Sequence, residues 1–147
     1  MKIEEEIRQT KFRSVHQKAL LNLLFTSNWI NNKQQDFFKP FGITLQQFNI
    51  LRILKGQHPR SISGTAIKGR MLDKNSDISR LLDRLITKGL IEKKTCNMDK
   101  RASDVYITNE GLTLLDKITK AQKDDHVLDL TEREAILLSD LLDKARG

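Results

Sequence analysis

Between residues 78 and 108 the hydrophobic period of the chain switches from helical to extended, and Gly89 marks the switch. Before it, Ile78, Leu81, Leu82, Leu85 and Ile86 recur at i, i+3 and i+4, the spacing that gathers apolar side chains on one face of a helix. After it, residues 90–95 and 103–108 are short β-branched or alternating runs around the polar stretch CNMDKRA. That pattern predicts a β-hairpin with a long tip. A glycine at the joint supplies the left-handed residue with which helices commonly end.

The rest of the chain reads as helix. Residues 3–38 contain no Pro or Gly, and Ile3, Ile7, Val15, Ala19, Leu20, Leu23 and Leu24 keep helical spacing. One long helix is expected there, or two with a break, closed by Pro40 and Gly42. Thr44-x-x-Gln47 has the form of a capping box, with Leu45, Phe48, Leu51 and Leu54 as the buried stripe and Gly56 and Pro59 ending the helix. Ser61 or Ser63 can cap a short helix through Ala66 and Ile67 to Leu72, and Asp73 and Asn75 read as turn and N-cap residues before the next. Thr108 is expected to cap a helix carrying Leu112, Leu115 and Ile118. After a polar break (KDDHVLD), a second capping box, Thr131-x-x-Glu134, opens a last helix with Ala135, Leu138, Leu141, Leu142 and Ala145. The expected fold is mainly α with a small β-hairpin.

Length and composition bound the function. The 147 residues suit a single domain spanning 1–147, and 38% apolar with 31% charged residues is globular rather than disordered composition. No apolar run approaches a membrane span, and MKIEEEIRQTK lacks the apolar core of a secretory signal, so a cytoplasmic protein with no membrane partner is expected. One cysteine precludes an internal disulfide framework. The net charge of +7 favours an anionic partner, and it is unevenly distributed. Residues 1–60 carry 10 basic and 4 acidic side chains, residues 61–107 carry 10 and 6, and residues 108–147 carry 6 and 9. The long terminal helices bracket a middle too small to cover all their apolar stripes. A second copy of the chain is the expected cover, with folding back onto the middle as the alternative.

The middle reads helix, tight turn, helix, hairpin, the order of a helix-turn-helix followed by a wing. The first turn of its second helix, Lys74-Asn75-Ser76-Asp77-x-Ser79-Arg80, is short and polar, and Arg84 follows one turn after Arg80 on the same side. Arg can bind guanine bidentately, Asn can bind adenine, and Ser suits bases or phosphates. An ordinary capped helix with solvated polar residues is the alternative. Asp99, Lys100 and Arg101 fall at the hairpin tip, where a narrow minor groove attracts an inserted Arg and an acidic neighbour can hold it extended.

These residues carry a family resemblance. LDKNSDISRLLDRLITKGLIEKK followed by DKRASDVYITNEGLTLL resembles the winged helix-turn-helix of the MarR family, the multiple-antibiotic-resistance regulators. The family pattern R-L-x-x-x-L-x-x-x-G-L-[IV] is met by Arg80, Leu81, Leu85, Gly89, Leu90 and Ile91. Its D-x-R wing tip and [VI]-x-[LI]-T-x-x-G return are met by Asp99, Arg101, Val105, Ile107, Thr108 and Gly111. The resemblance implies a winged helix-turn-helix lobe at 44–111 flanked by dimerisation helices at 1–40 and 112–147. It implies a homodimeric, sequence-specific regulator of transcription, in most relatives a repressor, bound to a pseudo-palindromic double-stranded DNA operator. Lys74, Asn75, Ser76, Asp77, Ser79, Arg80 and Arg84 would then serve DNA binding from the recognition helix, and Asp99, Lys100 and Arg101 from the wing. Lys74, Arg84 and Lys100 are assigned to phosphates, and Asp77 is favoured as a complement to the helix N-terminus over a contact with cytosine. A winged module for protein interaction and a non-specific basic coat for nucleic acid are the competing readings.

Other constellations point to less. His16, His58 and His126 lie far apart, Asp124-Asp125-His126 is the local acidic cluster, and neither metal nor cofactor is expected. Cys96 opens the wing tip between lysines and reads as a small loop residue rather than a redox sensor. No nucleophile–base order or phosphate loop stands in a convincing context, so no enzyme is expected. Trp29, Phe37, Phe38, Phe41 and Phe48 cluster in sequence around the second helical region. They are core, or, as the resemblance implies for Trp29, Phe38, Phe41 and Phe48, the wall of a pocket for a small aromatic or phenolic effector.

Overall fold

The computed structural model describes residues 1–95, 103–122 and 127–147. The glycine-free N-terminal stretch resolves into two helices. A single turn, α1 (Ile3–Glu6), precedes α2 (Val15–Phe38), which restarts where the Ser14 hydroxyl accepts the Gln17 N–H at 3.1 Å. Between them Arg8 takes a left-handed φ of 51°, a reversal that hydrophobic spacing does not reveal. Ile3 is buried, and an ion pair of Glu4 with Lys18 ties α1 to α2 and holds the Glu4 carboxyl below its usual range. A 3-10 turn over Lys39–Phe41 ends at Gly42 in the left-handed region. Both capping boxes form. At α3 (Leu45–Gln57) the Thr44 hydroxyl accepts the Gln47 N–H at 3.2 Å while Gln47 Oε1 accepts the Thr44 N–H at 3.0 Å.

Three corrections follow in the middle. Ile62–Ser63 forms a strand, β1, before α4 (Gly64–Arg70), which Ser63 caps; two residues are too short to display alternation in sequence. The helix ends at Arg70 rather than Leu72, because Met71 turns extended and buries its side chain. Helix α5 (Ile78–Thr87) starts later than expected. Its N-cap is Asp77, while Asp73 and Asn75 form a preceding turn in which Asp73 Oδ1 accepts the Asn75 N–H at 2.9 Å. Strands β2 (Ile91–Thr95) and β3 (Ser103–Ile107) pair antiparallel from Ile91↔Ile107 to Thr95↔Ser103, and β1 adds to the far edge of β3. Helices α6 (Asn109–Ala121) and α7 (Glu132–Arg146) complete the chain. At α7 the Thr131 N–H and hydroxyl both donate to Glu134, which lowers the Glu134 carboxyl pKa.

The core lies in the lobe. Ile50, Leu51 and Leu54 of α3, Ile67 of α4, Leu85 of α5, Ile91 and Val105 of the sheet and Ile118 of α6 are almost wholly buried, and Phe38 is the residue that α2 adds. Helix α7 buries none of its residues. Among the described residues no helix is long and apolar enough to cross a membrane.

The end of α5 is a Schellman motif. The Leu90 N–H bonds the Leu85 carbonyl at 3.1 Å, the Gly89 N–H bonds Ile86 at 2.9 Å, and Gly89 sits at φ 73°. The chain returns to the same point after β3. The Thr108 hydroxyl donates to the Gly89 carbonyl at 2.7 Å and accepts the Gly111 N–H at 3.2 Å, and the Thr108 N–H bonds the Leu90 carbonyl. A Cβ on Gly111 would lie 2.4 Å from the Leu90 oxygen and 2.6 Å from Ile107 Cγ1, so α6 approaches too closely for any side chain. Gly111→Ala is therefore expected to cost about 2–3 kcal/mol, since the opposing atom is backbone and cannot step aside. The check is the urea midpoint, which should fall with an unchanged slope.

Candidate nucleic-acid interface

Helix α5 divides sharply into two faces. Ile78, Leu82 and Leu85 are buried, whereas Asn75, Asp77, Ser79, Arg80 and Arg84 are exposed around its N-terminal half. Asp77 Oδ1 accepts the Arg80 N–H at 3.2 Å, so this carboxylate satisfies a helix-end donor and complements the positive end of the helix. Lys74 is exposed and its ammonium reaches the Gly69 carbonyl, closing the turn between α4 and α5. Ser76 differs from its neighbours. Only 9% of it is exposed, and among the described residues its hydroxyl has no hydrogen-bond partner.

The polar turn faces open, concave surface on both sides. One cleft of about 840 Å³ lies between α4, the start of α5 and the sheet, lined by Ser63, Thr65, Lys68, Asn75, Ser79 and Lys93 among others. A smaller one, about 330 Å³, is bordered by Gln46, Asp73, Arg80 and Arg84. Lys93 of β2 lies 3.7 Å from Asp83 of α5, a pairing of exposed groups that adds little energy but leans the sheet toward the helix. On the other sheet face the Tyr106 hydroxyl donates to the Glu92 carboxylate, which raises the phenol pKa. The expected tip contacts Asp99, Lys100 and Arg101 lie outside the described residues, as do Cys96 and the Asp124-Asp125-His126 cluster. Among the described residues no group of three His, Cys, Asp or Glu is placed to hold a metal ion.

The aromatic residues are brought together only in part. Phe38 is fully buried and stacks obliquely on Phe48 at 4.6 Å between ring centres, and Phe37 contacts both Phe38 and Phe41. Trp29 lies apart on α2, 39% exposed, with the Lys33 ammonium 4.1 Å above its ring. Two clefts border this region, of about 380 and 860 Å³. Of Trp29, Phe38, Phe41 and Phe48, Phe48 alone lines either one, because Phe38 fills the core instead. Both clefts share Asn49 and Leu72. Sequence reasoning missed Asn49, a buried polar residue on α3, since an Asn beside apolar neighbours carries no pattern that marks it as inward.

Comparison with known proteins places this geometry. A model described as the MarR family matches residues 43–103. The crystal structure of a MarR transcription factor from Planctomyces limnophilus is 30% identical, with 92% of this chain and 95% of that one covered and a TM-score of 0.69. A mutant MarR from Escherichia coli, solved complexed with operator DNA, is 26% identical over 88% of this chain and 94% of its own, with a TM-score of 0.74. The HTH-type transcriptional regulator PapX of Escherichia coli is 27% identical over 93 residues, 63% of this chain and 57% of PapX. The chain spans little more than half the length of the curated relatives it matches.

The capping role of Asp77 is open to a direct check. Asp77→Ala should lower stability by about 1 kcal/mol, and Asp77→Ser, which keeps an acceptor at the cap, should recover most of it in a denaturant titration.

Proposed function

This chain belongs to the MarR family of transcriptional regulators, and on that premise we propose that it is a sequence-specific regulator that binds duplex DNA as a homodimer. The observation that carries the reading is the exposed polar start of α5, capped by Asp77 and mounted on an apolar face that buries Ile78, Leu82 and Leu85. A helix held this way can enter a major groove as a rigid body. Asn75, Ser79 and Arg80 are the residues we assign to base edges, and Lys74, Arg84 and Lys100 to phosphates. Ser76, being buried, supports the turn from within, and Asp77 serves the helix. Arg101, steadied by Asp99, is assigned to the minor groove.

The homodimer rests on apolar surface that the lobe leaves uncovered. Leu20, Leu23 and Leu24 of α2 and Ile136, Leu137, Leu138 and Leu141 of α7 are all at least 36% exposed, on a helix that buries Phe38 alone and one that buries no residue. Covering them with a second copy would set two α5 helices at a spacing fixed by the helical arms. We extend the proposal to a cytoplasmic repressor whose DNA affinity responds to a small aromatic or phenolic effector. The clefts around Asn49 and Phe48 are the places for such a molecule. No catalytic step is assigned to any residue.

Selection from a random duplex pool tests the function. It should return a pseudo-palindrome with half-sites about 10 base pairs apart. Arg80→Ala should cost about 1–3 kcal/mol of specific binding and relax base choice at one position per half-site. Arg101→Ala should also weaken binding, and both variants should keep a steep salt dependence. A consensus without two-fold symmetry, or binding that depends on salt but not sequence, would sink this reading. The dimer has its own test. A chain carrying Leu137→Asp and Leu141→Asp, one helical turn apart on α7, should sediment as a monomer and lose operator binding while the lobe retains its helical signal.

A further inference from the structure

We propose that Asn49 is a positioning residue for DNA recognition, setting the start of α5 through a hydrogen bond to the turn that precedes it. The proposal rests on the reading of α5 as the DNA-reading helix. Asn49 lies on α3, only 5% exposed, and its Oδ1 accepts the Leu72 N–H at 3.0 Å across 23 residues of sequence. A buried amide oxygen without a partner is unfavourable, so this side chain and this backbone N–H each satisfy a group the other would leave bare.

The location of the bond gives it its role. Residues 71–77 join α4 to α5, and their other hydrogen bonds are local. The Met71 N–H bonds Lys68, the Asn75 N–H bonds Asp73 Oδ1, the Ser76 N–H bonds the Asp73 carbonyl, and Lys74 reaches Gly69. These bonds shape the turn but do not locate it in the lobe. Among the described residues, the Leu72–Asn49 bond is the one that ties the turn to a helix other than its own two. Met71 and Ser76 of the turn are buried, but the Leu72 side chain between them is 80% exposed and fixes nothing. Neighbouring Ile50 and Leu51 lock α3 in the core, so Asn49 is a rigid reference point, and Asn75, Ser79 and Arg80 follow the tethered Leu72 within eight residues of chain.

The test uses the full chain and the duplex selected by it. Asn49→Leu removes the acceptor, and Asn49→Asp keeps an oxygen at the same position. Asn49→Leu should bind the selected duplex about ten-fold more weakly, with non-specific binding and its salt slope unchanged. Exchange of the Leu72 amide, followed by NMR, should accelerate by about ten-fold. Asn49→Asp should restore both measurements to within about two-fold of the parent. Asn49→Ala serves in place of Asn49→Leu if the latter does not fold. Specific binding at the parent level in Asn49→Leu, or an Asn49→Asp variant as weak as Asn49→Leu, would overturn the positioning role. If the unmodified chain selects no duplex at all, it is the DNA reading that fails; parent selection with an indifferent Asn49→Leu fails the tether alone.

Discussion

Three segments of this chain meet at one hydroxyl. Thr108 Oγ1 donates to the carbonyl of Gly89, where α5 has just ended, and accepts the N–H of Gly111, where α6 has just begun, while its own backbone closes β3 against Leu90. Each partner is a backbone group with no other good option at that point. The Gly89 carbonyl belongs to the left-handed residue that ends α5, and the Gly111 N–H is one of the orphan donors of a helix start. Gly111 completes the junction by having no Cβ, which lets α6 approach to contact distance of the Leu90 carbonyl. The consequence is that α5, the sheet and α6 form one rigid corner. A helix placed in a groove and a sheet placed beside it can read DNA together only if their relative position is set before binding, and this corner sets it.

The apolar residues divide the molecule into a part that is satisfied and a part that is not. Within the lobe, inward residues from α3 to α6 and from all three strands close over each other almost completely. The outer helices behave differently: α2 runs for 24 residues and buries Phe38 alone, and α7 buries nothing. Exposed apolar faces on that scale are unfavourable in water unless something covers them. Charge divides differently, along the sequence. The acidic excess lies beyond residue 107 of the sequence, and the basic excess lies before it. A net charge of +7 on an undivided chain would fit a membrane surface or RNA as readily as DNA; its placement beside a helix and a wing is what narrows the partner.

Much of this was legible in the sequence because local chemistry dictates it. Thr44-x-x-Gln47 and Thr131-x-x-Glu134 form capping boxes since the side chains reach only the nearest orphan donors. Gly89 ends α5 since few other residues tolerate its φ. The features that stayed hidden depend on distant partners. Strand β1 exists because Val105 and Asp104 lie beside Ile62 and Ser63, and nothing in two residues announces that. A break between residues 3 and 38 is among the expectations, but its place is set by a reversal at Arg8 amid good helix formers. Asp73, Asn75, Ser76 and Asp77 are all competent caps, and which one serves is decided by where Ile78 must enter the core. Ser76, grouped in sequence with the residues assigned to DNA, turns inward for the same reason. Asn49 is polar in a helix whose other inward positions are mostly apolar, and only its meeting with Leu72 explains it.

Asp77 shows how folding and binding requirements are reconciled at one position. A carboxylate on a surface meant for phosphates repels them, and at exposed sites that repulsion is spread by solvent and salt to a modest penalty. Its hydrogen bond to the Arg80 N–H acts at every moment, bound or free, and holds the first turn of α5 in register with the side chain of Arg80. Without the cap, that turn would fray, and the DNA contacts proposed for Asn75, Ser79 and Arg80 would carry an ordering cost at each encounter. The repulsion also falls equally on every sequence, whereas the order it secures benefits only the sequence whose bases match. A helix that must discriminate rather than merely adhere therefore gains from an acidic cap, even at the edge of a basic surface.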